Sequence, residues 1–107
     1  MSVIVQFTIF PMDVEGSLAP YVARAVAIIR ASGLPFALGP MGTTMEGTWD
    51  DIMQVVNDCR EDLESDCGRV YLNLTADCRR GRSNGMASKV ASVLARERKP
   101  PDDADAL

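Results

Sequence analysis

The chain contains no histidine, so it lacks the side chain that most often serves as a general base near neutral pH and a common ligand of zinc and haem. Its three cysteines, Cys59, Cys67 and Cys78, form no CxxC pair. Zinc or haem is left without its usual ligand set, and three reduced thiols in a cytosol is the simplest reading. No run approaches the roughly 20 apolar residues of a membrane span. Met1–Phe10 is apolar but has no basic leading region and no small-residue cleavage site, so a soluble, untargeted, cytoplasmic protein with no membrane contact is expected. Positive charge is also scarce: eleven Lys and Arg against fifteen Asp and Glu give a net charge of -4. No basic stripe exists to hold nucleic-acid phosphates. The exception is Arg79, Arg80 and Arg82 around Gly81, a short basic turn of the kind usually solvated or paired with a neighbouring acid.

What is present is a globular composition, 47% apolar and 24% charged, in a chain of 107 residues, which suffices for one core without disulfides or metal. A single domain over 1–99 is expected, with 100–107 a flexible acidic tail. From Val3 to Phe10 the residues alternate, with Val3, Val5, Phe7 and Ile9 on one side and Ile4, Gln6, Thr8 and Phe10 on the other, the period of a strand. Pro11 stops it. Ser17 then precedes Leu18, Tyr21, Val22, Ala25, Ile28 and Ile29 at helical spacing, so Ser17 reads as the N-cap of a helix over Leu18–Ser32 closed by Gly33. Two short strands follow around the turn Gly39-Pro40-Met41-Gly42.

Thr48, with Asp51 three residues on, caps a second helix whose buried stripe is Ile52, Val55, Val56, Cys59 and Leu63. Arg69–Cys78 alternates again as a fourth strand. Ser83 or Asn84 can cap a third helix with a narrow stripe of Met86, Val90, Val93 and Leu94, ended by Pro100-Pro101. The order βαββαβ plus a C-terminal helix predicts an α+β, ferredoxin-like sandwich: a four-stranded antiparallel sheet with two helices on one face. The other face, with Ile4, Phe10 and Tyr71 amid Gln6, Thr8, Asn73 and Thr75, is too apolar to leave wholly to water. It is expected to meet another subunit or to be crossed in part by the third helix.

Chemistry is harder to find. Asp50, Asp51, Asp58, Glu61, Asp62 and Glu64 follow the solvent face of the second helix and form no metal cluster. The Gly39–Gly42 piece lacks the G-x-G-x-x-G spacing of a dinucleotide loop. An acylphosphatase needs an arginine-bearing loop after the first strand, whereas Pro11-Met12-Asp13-Val14-Glu15-Gly16 is acidic. No catalytic or metal-ligating residue is assigned, and the chain reads as a non-enzyme.

Phe10-Pro11 with Asp13, Ser17 with Pro20-Tyr21-Val22-Ala23, and Ser32-Gly33-Leu34-Pro35 through Leu38–Thr43 to Glu46-Gly47 together resemble the small thiamine-binding protein family, also called YkoF-like, from Val3 to about Arg82. The resemblance implies a ferredoxin-like protomer that associates through its sheets into dimers or tetramers and binds thiamine or its hydroxymethylpyrimidine part without transforming it. No cofactor is implied beyond thiamine as ligand, and transport, salvage or sensing are the roles open to such a binder. The basic turn at Cys78-Arg79-Arg80 departs from the polar residue expected there.

Thiamine joins a flat aminopyrimidine, which needs a donor–acceptor edge and apolar walls, to a cationic thiazolium, which favours acidic or aromatic neighbours. Glu46 is the candidate acceptor for the pyrimidine amine. Thr43 and Thr44 would add hydroxyls, Met41 and Gly42 a wall, and Ser17 with Tyr21, one helical turn apart, a hydroxyl and a ring. Each has a plainer alternative: Ser17 as a cap, Tyr21 as core, Glu46 as an exposed strand charge. The competing functional class is an oligomeric regulatory or assembly domain that binds another small metabolite.

Overall fold

The computed structural model describes residues 2–97. The elements are β1 (Val3–Pro11), α1 (Ala19–Ala31), β2 (Phe36–Gly39), β3 (Gly42–Gly47), α2 (Trp49–Glu64), β4 (Val70–Cys78) and α3 (Gly85–Glu97). The strands form one antiparallel sheet in the order β2-β3-β1-β4. This is the expected ferredoxin-like arrangement. The expected tail at 100–107 lies outside the described residues.

β1 takes a central place because its residues are the most apolar, and it pairs with β3 on one side and β4 on the other. Val3, Val5, Phe7 and Ile9 point to the helices and are buried with Met45 of β3. They meet Ala25 and Ile29 of α1 and Ile52, Val55, Val56, Cys59 and Leu63 of α2 in one cluster. Each large aliphatic buried there contributes roughly 1.5–3 kcal/mol, so this cluster is the main source of stability.

The helix ends show which local signals were sufficient. Thr48 is the N-cap of α2, its side chain accepting from the Asp51 N–H at 3.2 Å. Gly33, at φ +78, follows the last turn of α1 in the left-handed conformation that only glycine adopts cheaply. The start of α1 differs from expectation: Leu18, not Ser17, is the N-cap, because the Leu18 carbonyl accepts the first helical bonds from Tyr21 and Val22. Ser17 stands one residue outside and still accepts from the Ala19 N–H at 3.2 Å. Arg24 ties α1 to α2, its guanidinium donating to Asp62 at 2.9 Å and to both oxygens of Asp66 at 2.9 and 3.0 Å. That hydrogen-bonded arginine holds the Asp66 carboxyl below the usual range, outweighing the opposing effect of burial.

α3 lies against the open sheet face at the Ile4–Glu46 end, and its start is not capped as expected. Asn84 holds a positive φ of 54, and neither its side chain nor that of Ser83 bonds the first-turn amides. The cap comes instead from Glu46, 39 residues earlier in the chain: its carboxylate accepts from the Gly85 N–H at 2.7 Å and the Met86 N–H at 3.1 Å. An anion at a helix N-terminus is favoured by both the free N–H groups and the helix dipole.

Candidate functional site

Unequal strand lengths leave a notch in the sheet. β1 has 9 residues but β3 has 6 and β2 only 4, and the β1–β3 register ends at Phe7↔Thr43. Beyond that pair β1 runs on beside β4 alone, while the Gly39–Gly42 turn carries the chain away. The missing strand leaves a hollow of about 300 Å³, floored by Phe7–Phe10, walled on one side by Leu18, Val22 and Val26 of α1, and on the other by Leu38 and the Pro40-Met41 turn. None of its lining residues is charged. Its size and apolar walls suit a small flat molecule. Gly42 has to be glycine here: a Cβ would stand 2.9 Å from Thr8 Cγ2 and 3.2 Å from the Phe7 carbonyl oxygen.

The residues singled out in the sequence divide between two places. Met41, Gly42 and Thr43 line the notch. Ser17 and Tyr21 border it through their neighbours Leu18 and Val22 but do not line it: Ser17 stays at the helix start, and Tyr21 packs on the core with the Arg24 guanidinium 5.9 Å from its ring centre. Thr44 and Glu46 stand on the opposite sheet face, in a broader groove of about 680 Å³ between the sheet and α3. Strand alternation is the reason, since neighbouring residues of β3 point to opposite faces and no ligand touches Thr43 and Thr44 from one side.

Glu46 is the electrostatic centre of that second groove. It is 3% exposed, and besides the two α3 amides it accepts from the Ser2 hydroxyl at 2.7 Å. Burial alone would raise its pKa, but the Ser2, Met86 and Gly85 bonds with the nearby Arg82 charge outweigh it and hold the carboxyl below its ordinary value. Glu46 is therefore an ionised, internally satisfied anchor for α3. Arg82 is itself bound to Asp77, at 2.9 Å through the carboxylate and 2.6 Å through the backbone carbonyl, and Lys89 pairs with the same carboxylate. Together these ion pairs hold the Asp77 carboxyl low. The basic turn thus spends Arg82 on structure.

Sequence reasoning missed Leu18, Val22 and Val26 as site residues. Their signal was present: they form an i, i+4, i+8 row beside the core row Ala25–Ile29, making the apolar face of α1 wider than the sheet beneath it can cover. Thr8 and Phe10 were legible as sheet-face residues, but not as notch residues, because the register that leaves β1 without β3 beyond Phe7↔Thr43 is not written in either strand alone. No group of His, Cys, Asp or Glu suited to hold a metal occurs among the described residues, nor is any helix there long and apolar enough to cross a membrane.

A family model described as "Thiamine-binding protein" matches residues 5–94. A UPF0045 protein of Mycobacterium bovis is 36% identical over 94 residues, covering 87% of this chain and 92% of its own. Among solved structures, a hypothetical protein of Methanocaldococcus jannaschii superposes with a TM-score of 0.80 at 25% identity, covering 87% of this chain and 96% of its own. A Thermotoga maritima protein provisionally assigned to thiamine biosynthesis or salvage superposes with a TM-score of 0.78 at 29% identity, covering 87% and 99%. The fold, the length and the matched span agree, and the chain belongs to the thiamine-binding protein family.

Proposed function

We propose that this chain binds thiamine or its hydroxymethylpyrimidine part without transforming it, and that the notch between α1 and the β2–β3 turn is the site. The observation that carries this reading is the notch itself, an uncharged, apolar hollow of about 300 Å³ in a member of a thiamine-binding family. The provisional thiamine assignment of the Thermotoga maritima protein supports the same ligand class. The role is that of a non-catalytic carrier, salvage protein or sensor working in the cytoplasm, with no cofactor besides the ligand. Leu18, Val22, Met41, Gly42 and Thr43 shape the site, and Glu46 acts from outside it by holding α3.

Copies of the chain associate through the open sheet face. Tyr71 is exposed there and stacks on Phe10 with ring centres 5.4 Å apart, and Val90 and Val93 of α3 turn apolar surface outward at the same side of the sheet. That exposure is also what favours the second reading, an oligomeric regulatory or assembly domain for a different metabolite.

Isothermal titration of the full chain with thiamine, hydroxymethylpyrimidine and thiamine phosphate separates the two readings. Saturable micromolar binding of one of them, accompanied by thermal stabilisation through mass action, is expected. Absence of heat and of any thermal shift with all three would reject the thiamine reading in favour of the regulatory one.

A further inference from the structure

α3 begins at the one Asn-Gly dipeptide of the chain, Asn84-Gly85. This is the most reactive pair an asparagine can form, because glycine has no side chain to keep its peptide nitrogen from the preceding Asn side-chain carbonyl. In that reaction the Gly85 nitrogen loses its proton to hydroxide and bonds to Asn84 Cγ, ammonia leaves, and a five-membered succinimide closes. Water then opens the ring at either carbonyl. One product is aspartate; the other is isoaspartate, whose main chain runs through the former side chain and is one carbon longer.

Packing explains why so labile a pair stands here. A Cβ at position 85 would lie 2.6 Å from Arg82 Cδ, 2.8 Å from Arg82 Nε and 3.0 Å from Ile4 Cδ1, so the first residue of the helix has to be glycine. Asn84 leads into it at φ +54, in the left-handed region that asparagine enters more readily than most residues with a side chain. Asn84 is exposed, but the nitrogen that would attack it is not. Gly85 is buried and its N–H donates to Glu46 at 2.7 Å, with the Met86 N–H held by the same carboxylate at 3.1 Å. To react, that nitrogen must leave Glu46 and swing toward Asn84 Cγ past the Arg82 stem and Ile4.

We infer that Asn84-Gly85 is a modification site gated by the Glu46 latch, closed while α3 is seated and open to succinimide formation and deamidation when its first turn lifts from the sheet. Only the lifted state reacts, so the rate is the intrinsic Asn-Gly rate multiplied by the fraction of time the turn is open. The change is one-way. The aspartate product keeps the length of the main chain, and its charge suits a helix N-terminus. The isoaspartate product adds a carbon just before Gly85 and Met86, which takes their N–H groups out of register with Glu46. That form releases α3 from the groove of about 680 Å³ that it covers. None of residues 84–86 lines the notch, so the device is independent of the ligand reading.

The test is peptide mapping by mass spectrometry of the full chain during incubation in mildly alkaline buffer, with aspartate and isoaspartate at residue 84 resolved by chromatography. Asn57, followed by Asp58 within α2, and Asn73, followed by Leu74 within β4, are internal controls. Wild type is expected to react at Asn84 at least about tenfold more slowly than the same chain unfolded in urea. Glu46→Gln is expected to react about three- to tenfold faster than wild type, with both controls unchanged. Should Glu46→Gln not fold, urea below the unfolding transition takes its place: in wild type, deamidation at residue 84 and hydrogen exchange of the Gly85 amide should rise together. In the isolated isoaspartyl form the amides of Met86–Glu97 should exchange faster than before, while those of α1 and α2 keep their protection. A wild type as reactive as the unfolded chain, a latch variant or urea addition that brings no acceleration, or an isoaspartyl form with α3 as protected as before would overturn the inference.

Discussion

Glu46 shows how much one residue's neighbours decide. Read from the chain it is a carboxylate in a short strand, available to a ligand's amine; in the fold it is buried and shared among Ser2, Gly85 and Met86. Glu46→Gln is therefore expected to act on stability instead of affinity. An amide cannot present two acceptor oxygens to two helix N–H groups, and the loss should be about 1.5–3 kcal/mol in urea unfolding, the range for hydrogen bonds to a charged group. Ligand affinity should stay within about twofold, a change under about 0.5 kcal/mol. The pH dependence has a definite sign. Because the folded-state pKa lies below the ordinary glutamate value, the ionised carboxylate's contribution is complete above the unfolded-state pKa and is lost as pH falls through the depressed folded one. The stability gap between the wild type and Glu46→Gln should hold from about pH 7 to about 5 and close at more acid pH. A gap independent of pH would mean that charge is not what holds α3. Gly42 is the residue-scale control on the notch: Gly42→Ala puts a methyl 2.9 Å from Thr8 Cγ2 on a backbone at φ +156. A loss of about 1–3 kcal/mol is expected by thermal unfolding, with weakened ligand binding in calorimetry.

At the scale of elements, those that carry their own periodicity and caps were legible. α2 has both, a Thr48 cap and the stripe Ile52, Val55, Val56, Cys59, Leu63, and it runs as expected; the same helix buries Cys59 enough to push its thiol up to about 12, with Asp58 and Asp62 adding to the burial, so it is no nucleophile. α3 was legible only as a helix. Its cap comes from a strand 39 residues away, and nothing local to Ser83 or Asn84 announces that. Its apolar residues Val90 and Val93 are 59% and 65% exposed, so it rests on the sheet mainly through its first turn. Hydrogen exchange of the isolated protomer should therefore find the amides of Gly85–Glu97 exchanging well ahead of those of α1 and α2. Equal protection of all three helices would mean that α3 is held along its whole length and not mainly through its first turn.

The whole molecule presents one covered and one open sheet face. The fold could be inferred from the order of elements, because a βαββαβ sequence of amphipathic pieces has few ways to bury its apolar faces, whereas the family rested on the resemblance of motifs such as Phe10-Pro11 with Asp13. The open face, with Phe10 and Tyr71 stacked, predicts self-association: light scattering at micromolar concentration should give a dimer or larger assembly, and Tyr71→Glu should shift it toward monomer, since like charges would meet across a symmetric interface. A monomeric wild type under those conditions would sink this expectation.

The sequence by itself determined the strands and helices, their order, the core stripe, the lack of ligands for common metal sites and the family. All but the family follow from periodicity, turn chemistry and composition, which are local or additive; the family followed from a resemblance of motifs between Val3 and Arg82. Only the tertiary structure decided where the candidate site residues stand. The notch exists because the β1–β3 pairing ends at Phe7↔Thr43 while β1 runs on to Pro11, and Thr43 and Thr44 part company because a strand alternates its faces. The carboxylate of Glu46 goes to α3 because two chain-distant elements meet at one place, and contacts of that kind are set by packing in three dimensions, which no local pattern encodes.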